Sequence, residues 1–422
     1  MQLSLVLLVG LIICSMGCSR SANQATKTIR FLVMGQEAAV IQPIIREFEH
    51  ENPSIQVKVE TVSVSSSNQK LLATYMADQL PDLAQLGNTS IAAFAIINAL
   101  EPIDSYLSQS RDIRRENYFT AVWDTNCINH ILYGVPWYID TRLIFYRTDL
   151  LANALVKLPI RTWGEWQTAM DQLKNKYGPR FYPVYIPLNE YEPLISFALQ
   201  SDDPLLINNN QYANFNSPGF KQVLHFFHQI FIHQWSPLFS ITEVSNTSSE
   251  FFNGQFAMYL SGPWNLKEFR RFQPEGMASS WSTMPLPSPT GQYGGIAGGA
   301  SLVIFRQSKQ KKEAWEMIKF LSRPLIQAKL FTLAADLPPR REAWRQTGLA
   351  SNPLMIAFQQ QLEGVRPIAK VLEWDEIAHQ IQVKSETVVR SGVPEALAIE
   401  RLNQDVNSIL EKRRWLLQRE MK

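Results

Sequence analysis

Three histidines in the run HFFHQIFIH (His225, His228 and His233) are the first residues whose type and spacing suggest chemistry. His225 and His228 are three apart and share a helix face, as metal ligands often do. No HExxH pattern accompanies them and no nearby carboxylate completes a ligand set, so the run reads as an amphipathic helix surface. Glu190 and Glu192 are paired carboxylates between Pro187 and Pro193. A glycosidase needs such a pair, but carboxylates two apart in a short segment read as solvated neighbours. The glycine-rich stretch Gly294–Gly299 precedes the strand-like ASLVIF rather than a helix, which excludes a phosphate-binding loop. Two readings stay open for it: a loop through which backbone approaches a ligand, or a plain mobile loop. There is no GxSxG and no Ser, His and Asp set. No catalytic residue, metal or cofactor is assigned.

The aromatic residues carry more. Of eleven tryptophans, Trp163, Trp166 and Trp315 fall in expected helices and read as packing residues. Trp137 and Trp264 fall in proline-containing turns, VPWYID and SGPWNL. The flat face of such a ring suits the C–H face of a sugar, and neighbouring acidic and basic groups such as Asp140 and Arg142 can hydrogen-bond adjacent hydroxyls. Trp264 is taken as the stacking platform.

These residues need elements to position them. Thr28–Met34 reads as a buried strand, and a helix is expected from Glu37 to His50 on the spacing of Ile41, Ile44, Ile45 and Phe48. An alternating strand in NPSIQVKVETV, a helix around Asn68–Gln79 and a short strand Asp82–Leu86 follow, the alternation of an α/β sheet. Ligands of such sheets bind beyond the carboxyl ends of the strands, here at Gln36 and Glu37 and at Gly87 and Asn88. Further along, Thr162 with Glu165 forms a capping box, and Ser217 with Pro218 opens a second helix. The chain from Asn352 is nearly all helical by periodicity. No internal repeat or long linker appears, so two lobes would be joined by crossing strands.

The whole chain sets bounds. Its 422 residues suffice for two or three domains, and 45% hydrophobic with 18% charged residues indicates a globular protein. Forty basic and 38 acidic residues leave a formal charge of +2, with no electrostatic footprint for nucleic acid. The apolar run Leu3–Ile13 is too short to span a membrane comfortably, and Gly17 directly precedes Cys18. Residues 1–18 resemble a bacterial lipoprotein signal ending at a lipidated Cys18, with residues 19–27 as a tether; an ordinary secretory signal or an uncleaved anchor are the alternatives. After processing only Cys127 remains besides Cys18, which excludes an internal disulfide and a cysteine-based zinc site.

The segments IIREFEHENPSIQVKVE, LPDLAQLGN, GVPWYIDTRLIFYRTDLL, FFNGQFAMYLSGPWNL, GGASLVIFRQSKQKKEAWEMIKFLSRP and LPPRREAW, in this order, resemble the family 1 extracellular solute-binding proteins of carbohydrate ABC transporters. The resemblance covers the mature chain and is strongest to binders of trehalose, maltose, glycosylglycerols and glycerophospho compounds. It implies an α/β, two-lobed periplasmic-binding-protein fold of type II with a ligand cleft between lobes. Lobe 1 is expected at 28–139 plus 301–340, and lobe 2 at 140–300 plus 341–422. By resemblance Tyr138 and Asp140 contact sugar, Trp264 sits at the cleft, Gly299 and Ala300 form a contacting loop, Arg340 is a cleft arginine, and Glu37 follows the first strand. Gly87, Gly262 and Ala300 depart from relatives that carry an aspartate or aromatics there; Asn88 is set down as a replacement for the missing carboxylate. The implied partners are a small carbohydrate, ABC permease subunits and the membrane through the N-terminal lipid, for a non-enzymatic monomer in the cell envelope. The alternatives are a secreted glycoside hydrolase or a binder of a glycerophosphodiester or ferric ion.

Overall fold

The computed structural model describes residues 26–110, 112–239 and 246–420. The signal segment, Cys18 and the tether up to residue 25 lie outside the described residues. Two main sheets are built from β1 (Lys27–Met34), β2 (Ile55–Val62), β3 (Leu83–Gly87), β4 (Gly134–Tyr138), β5 (Leu143–Arg147), β6 (Tyr182–Tyr185), β7 (Phe256–Ser261), β8 (Trp281–Met284) and β9 (Ala300–Ile304).

The first sheet has the order β2-β1-β3-β9-β4. β1 runs parallel to β2 and β3, while β9 is antiparallel to both β3 and β4. The two-residue period of a strand sorts its side chains between two faces. Ile29, Phe31 and Val33 join Ile44, Ile45, Phe48 and the Lys311–Leu321 helix on one side. Leu32, Ala84, Leu86 and Val303 meet Leu71, Ile91 and Phe94 on the other. Both faces are therefore buried, as the apolar runs of these strands require.

The second sheet has the order β8-β5-β7-β6. Ile144, Val184, Leu260 and Met284 face a large core with Trp166, Phe226 and Trp374, on the helices Trp163–Tyr177, Pro218–Ile232 and Trp374–Ser391. Leu143, Phe145, Tyr185, Tyr259 and Trp281 face Phe251, Phe269 and Phe358. The expected capping box is present: Thr162 Oγ1 accepts from Glu165 N at 3.2 Å, and Glu165 Oε2 accepts from Thr162 N at 2.8 Å.

Two expectations are corrected. The helix expected over Glu37–His50 is broken into Gly35–Val40 and Gln42–Glu51. Pro43 has no N–H for the previous turn and is tolerated only in the first turn of a new helix. Trp137, expected in a turn, lies in β4 and is buried against Phe31, ring centroids 5.9 Å apart. Pro136 does not break β4 because β4 is the edge of its sheet, where a missing N–H costs no ladder bond.

The chain passes between the sheets at residues 139–142, 285–299 and 335–340. These crossings lie side by side: Ile139 N donates to Leu337 O at 2.9 Å, and Gly298 N donates to Asp140 O at 3.0 Å.

Candidate ligand site

Each crossing brings polar groups to the junction of the sheets. On the first, Asp140 follows Tyr138 at the end of β4 and its carboxylate accepts the backbone N–H of Gly299. The fit against the second crossing is close. A Cβ on Gly298 would lie 2.0 Å from Asp140 Oδ1. A Cβ on Gly299, whose φ is +100°, would lie 2.4 Å from the Tyr138 carbonyl oxygen. Only glycine allows that approach and that conformation. The glycine stretch is thus a close backbone approach at this end. Burial pushes the Asp140 carboxyl up to about 6, against the opposing pull of Arg142.

Arg142 is buried, with its Nη2 3.2 Å from Glu190 Oε2 and 3.8 Å from Glu192 Oε1. Burial works against its charge, while Glu192, Glu190 and Asp140 hold the charge on. Its guanidinium carbon lies 4.5 Å from the centroid of the Trp264 ring, a cation–π contact. Trp264 is placed by the turn between β7 and the helix Asn265–Phe272. Its ring fills the space of a side chain at Gly262, where an added Cβ would lie 2.1 Å from Trp264 Cζ3. Gly262 therefore does not open the site; its missing side chain makes room for Trp264. The cation occupies one face of the ring.

On the opposite side Glu37, just past β1, and Asp336, on the third crossing, are both buried carboxyls that act on each other. Burial raises both above the ordinary carboxylate range, Asp336 further because Glu37 and Asp140 are close. Gln85 Oε1 accepts from Met34 N at 2.8 Å, and its Nε2 donates to the Tyr138 hydroxyl at 3.0 Å. Tyr138 is held far in its neutral form by burial, then by Glu37, Asp336 and Asp140.

The structure thus gathers Glu37, Tyr138, Asp140, Trp264 and Gly299 around one junction. Ala300 is a buried β9 residue paired with Gly87 and Tyr138, and only its backbone borders the site. Asn88 is spent on scaffolding: its Nδ2 donates to Gly298 O at 2.8 Å and its Oδ1 accepts from Ser301 Oγ at 2.7 Å. Arg340 turns elsewhere. Its Nη1 donates to Ser322 O at 3.0 Å, its Nη2 is 3.3 Å from Glu342 Oε2, and it lies over the Tyr118 ring. His225 and His228 both meet Glu395, at 3.2 and 2.7 Å, tying two helices together. Sequence reasoning did not assign Asp336 or Gln85 to the site, and named Arg142 only as a hydrogen-bonding neighbour of the aromatic residues. Arg142 carried a signal, a charge beside Tyr138 and Asp140; Asp336 and Gln85 carried none. A separate concavity of about 420 Å³ lies between Leu199–Leu206 and Arg366–Lys370, away from this junction.

Residues 44–357 match the family described as bacterial extracellular solute-binding protein. The chain is similar to the sugar-binding protein MalE from the phytopathogen Xanthomonas citri, at 46% identity and a TM-score of 0.90, over 93% of this chain and 99% of that one. The GacH receptor of Streptomyces glaucescens GLA.O shares the two-lobed fold, with a TM-score of 0.80 at 20% identity over 92% and 99% of the two chains. By sequence, a putative binding protein of Brucella abortus (strain 2308) is 23% identical over 376 residues, 88% of this chain and 90% of its own.

Proposed function

The chain belongs to the bacterial extracellular solute-binding protein family, and on that premise we propose that it captures a disaccharide-sized or sugar–polyol ligand and delivers it to the permease of an ABC importer. The observation that carries this reading is the Trp264–Arg142–Asp140 group, an aromatic face beside a fixed donor and a carboxylate acceptor. An aromatic ring with such neighbours recognises the apolar face and the hydroxyl edge of a sugar together. The 46% identity to a sugar-binding protein supports the same ligand class.

Lobe 1 is taken as 28–139 plus 301–340 and lobe 2 as 140–300 plus 341–422, with closure as a hinge motion at the three hydrogen-bonded crossings. Glu37, Tyr138, Asp140, Trp264 and the Gly299 backbone contact the ligand. In this reading the protein is a monomer without catalysis, and Glu190 and Glu192, which both face Arg142, serve to hold that guanidinium. Cys18 holds it to the membrane by lipid; Cys18→Ser should release the protein or leave an uncleaved precursor, and unchanged processing and retention would refute the anchor.

The test is a thermal shift of the chain from Ser19 onward with trehalose, maltose, sucrose, glucosylglycerol and glycerophosphodiesters. A true ligand at a hundredfold excess over its dissociation constant adds about 2.7 kcal/mol. A panel with no shift, or ligand consumed during incubation, defeats this reading.

A further inference from the structure

Glu37 and Asp336 pose a bonding problem. Both lie more than nine-tenths buried, at 5% and 7% exposure. Ionised carboxylates are acceptors only, and among the described residues Asp336 Oδ2 receives no donor. An uncompensated buried carboxylate oxygen is costly, and two like charges in contact are costlier. The cation acting on Asp336 is Lys267, which is exposed and donates to Leu333 O at 3.1 Å. Asp140 and the Tyr138 hydroxyl face the pair from the first crossing, and Gln85 faces it from β3. None of these supplies the missing positive charge, whereas one proton held between the two carboxyls supplies both the donor and the neutralisation.

We propose that Glu37 and Asp336 share one proton and act as a single specificity-determining group, which offers hydrogen-bond acceptors to the hydroxyls of a neutral ligand and excludes anionic ones. This deepens the sugar-receptor reading and rests on it for the ligand. The pair belongs to the first sheet's side of the junction and Trp264 to the second's, and in this proposal a ligand stacked on Trp264 turns its far hydroxyls toward the pair. A phosphodiester placed there would bring a third negative charge to Glu37, Asp336 and Asp140, while the junction's buried cation, Arg142, is already held by Glu190 and Glu192. The upward pKa displacement of both carboxyls agrees with the shared proton.

Two measurements decide it, and the first needs no ligand. Ligand-free wild type and Asp336→Asn are melted from pH 4.5 to 8.5. The amide keeps the shape, donates to Glu37 and cannot ionise. Carboxyls whose folded pKa is raised bind more protons folded than unfolded, so their contribution to stability falls as pH rises above the ordinary carboxylate range. The melting temperature of Asp336→Asn relative to wild type should therefore climb with pH; a constant difference overturns the shared proton. The second is calorimetric titration with trehalose, maltose, glucosylglycerol and glycerophosphoglycerol. The neutral ligand that binds best should lose about threefold in affinity in Asp336→Asn and at least tenfold in Asp336→Ala, the range of one hydrogen bond to a charged or charge-sharing group. Wild-type affinity in the alanine variant, or tighter binding of glycerophosphoglycerol than of any sugar by the wild type, overturns the specificity role. If no sugar binds the wild type, the receptor reading fails, while the melting comparison still decides the shared proton.

Discussion

Around Arg142 three carboxylates, Asp140, Glu190 and Glu192, surround a buried guanidinium and a tryptophan ring. Across the same junction Glu37 and Asp336 face one another with no buried cation between them among the described residues. The residue types are the same; what differs is the burial, about a quarter exposed at Glu190 and Glu192 against 5% and 7% at Glu37 and Asp336, and the source of positive charge. On one side a fixed side chain provides it, on the other a proton does. Burying an acid therefore does not fix its ionisation, because the neighbour decides. One end of the site is permanently polarised, and the other adjusts its charge with pH.

Removing the fixed cation should produce the largest effect. Arg142→Leu leaves Glu190 and Glu192, both partly exposed, without their guanidinium and uncovers Trp264, and losing a hydrogen bond to a charged group costs about 1.5–3 kcal/mol. Urea denaturation should show that loss, with ligand heat abolished in calorimetry; a variant as stable as wild type would mean that the guanidinium is not what holds these acids. Trp264→Ala comes next. It removes the stacking surface, for a loss of about tenfold to a hundredfold in affinity at nearly unchanged ligand-free melting temperature. A loss of affinity only in step with melting would make the ring a packing element.

Asp140 lies between the two sides and sharpens the contrast. Its folded carboxyl titrates near 6, above the ordinary aspartate range. The folded state thus binds the proton more tightly, and the stability due to Asp140 is present below about pH 4 and is lost as pH rises to about 6. The melting temperature of Asp140→Asn relative to wild type should rise over that window and level off above it. If the difference keeps rising beyond pH 7, the carboxyl is governed by the Glu37–Asp336 pair rather than by Arg142. The smallest effect is expected from His225→Gln, far from the comparison: its contact with Glu395 is exposed, and its loss should change stability by less than about 0.5 kcal/mol.

What could be read in advance follows from the range of each interaction. The buried β1 strand, the Thr162–Glu165 capping box and the strand–turn–helix at Trp264 are set by neighbours a few residues apart, and all are where expected. Trp137 was misplaced because Pro136 looks like a turn unless the strand is known to be an edge, and edge position is a property of the whole sheet. Arg340 lies in a matching motif, yet the Ser322 carbonyl and the Tyr118 ring, both distant in sequence, decide where its guanidinium points. Asp336 had no signal at all. Its neighbour Glu37 is brought to it by the end of β1, and a lone aspartate before LPPRR looks solvated until the crossings are packed together.

The place of β9 has a consequence for how the chain is made. It inserts between β3 and β4, and the bond from Ser301 to Asn88 closes a gap of 213 positions. Contacts so distant along the chain form late, because the intervening loop must close before they give any return. A nascent chain that ends before Ala300 has β1, β2 and β3 but lacks the strand that joins β3 to β4, and it presents an unpaired edge on each. The first sheet is thus completed only after the whole second sheet has emerged from the ribosome. In a family whose members work outside the cell, that order leaves an interval in which the polypeptide is still loose enough to thread a translocation channel, and in which a holding chaperone has two open strand edges to protect.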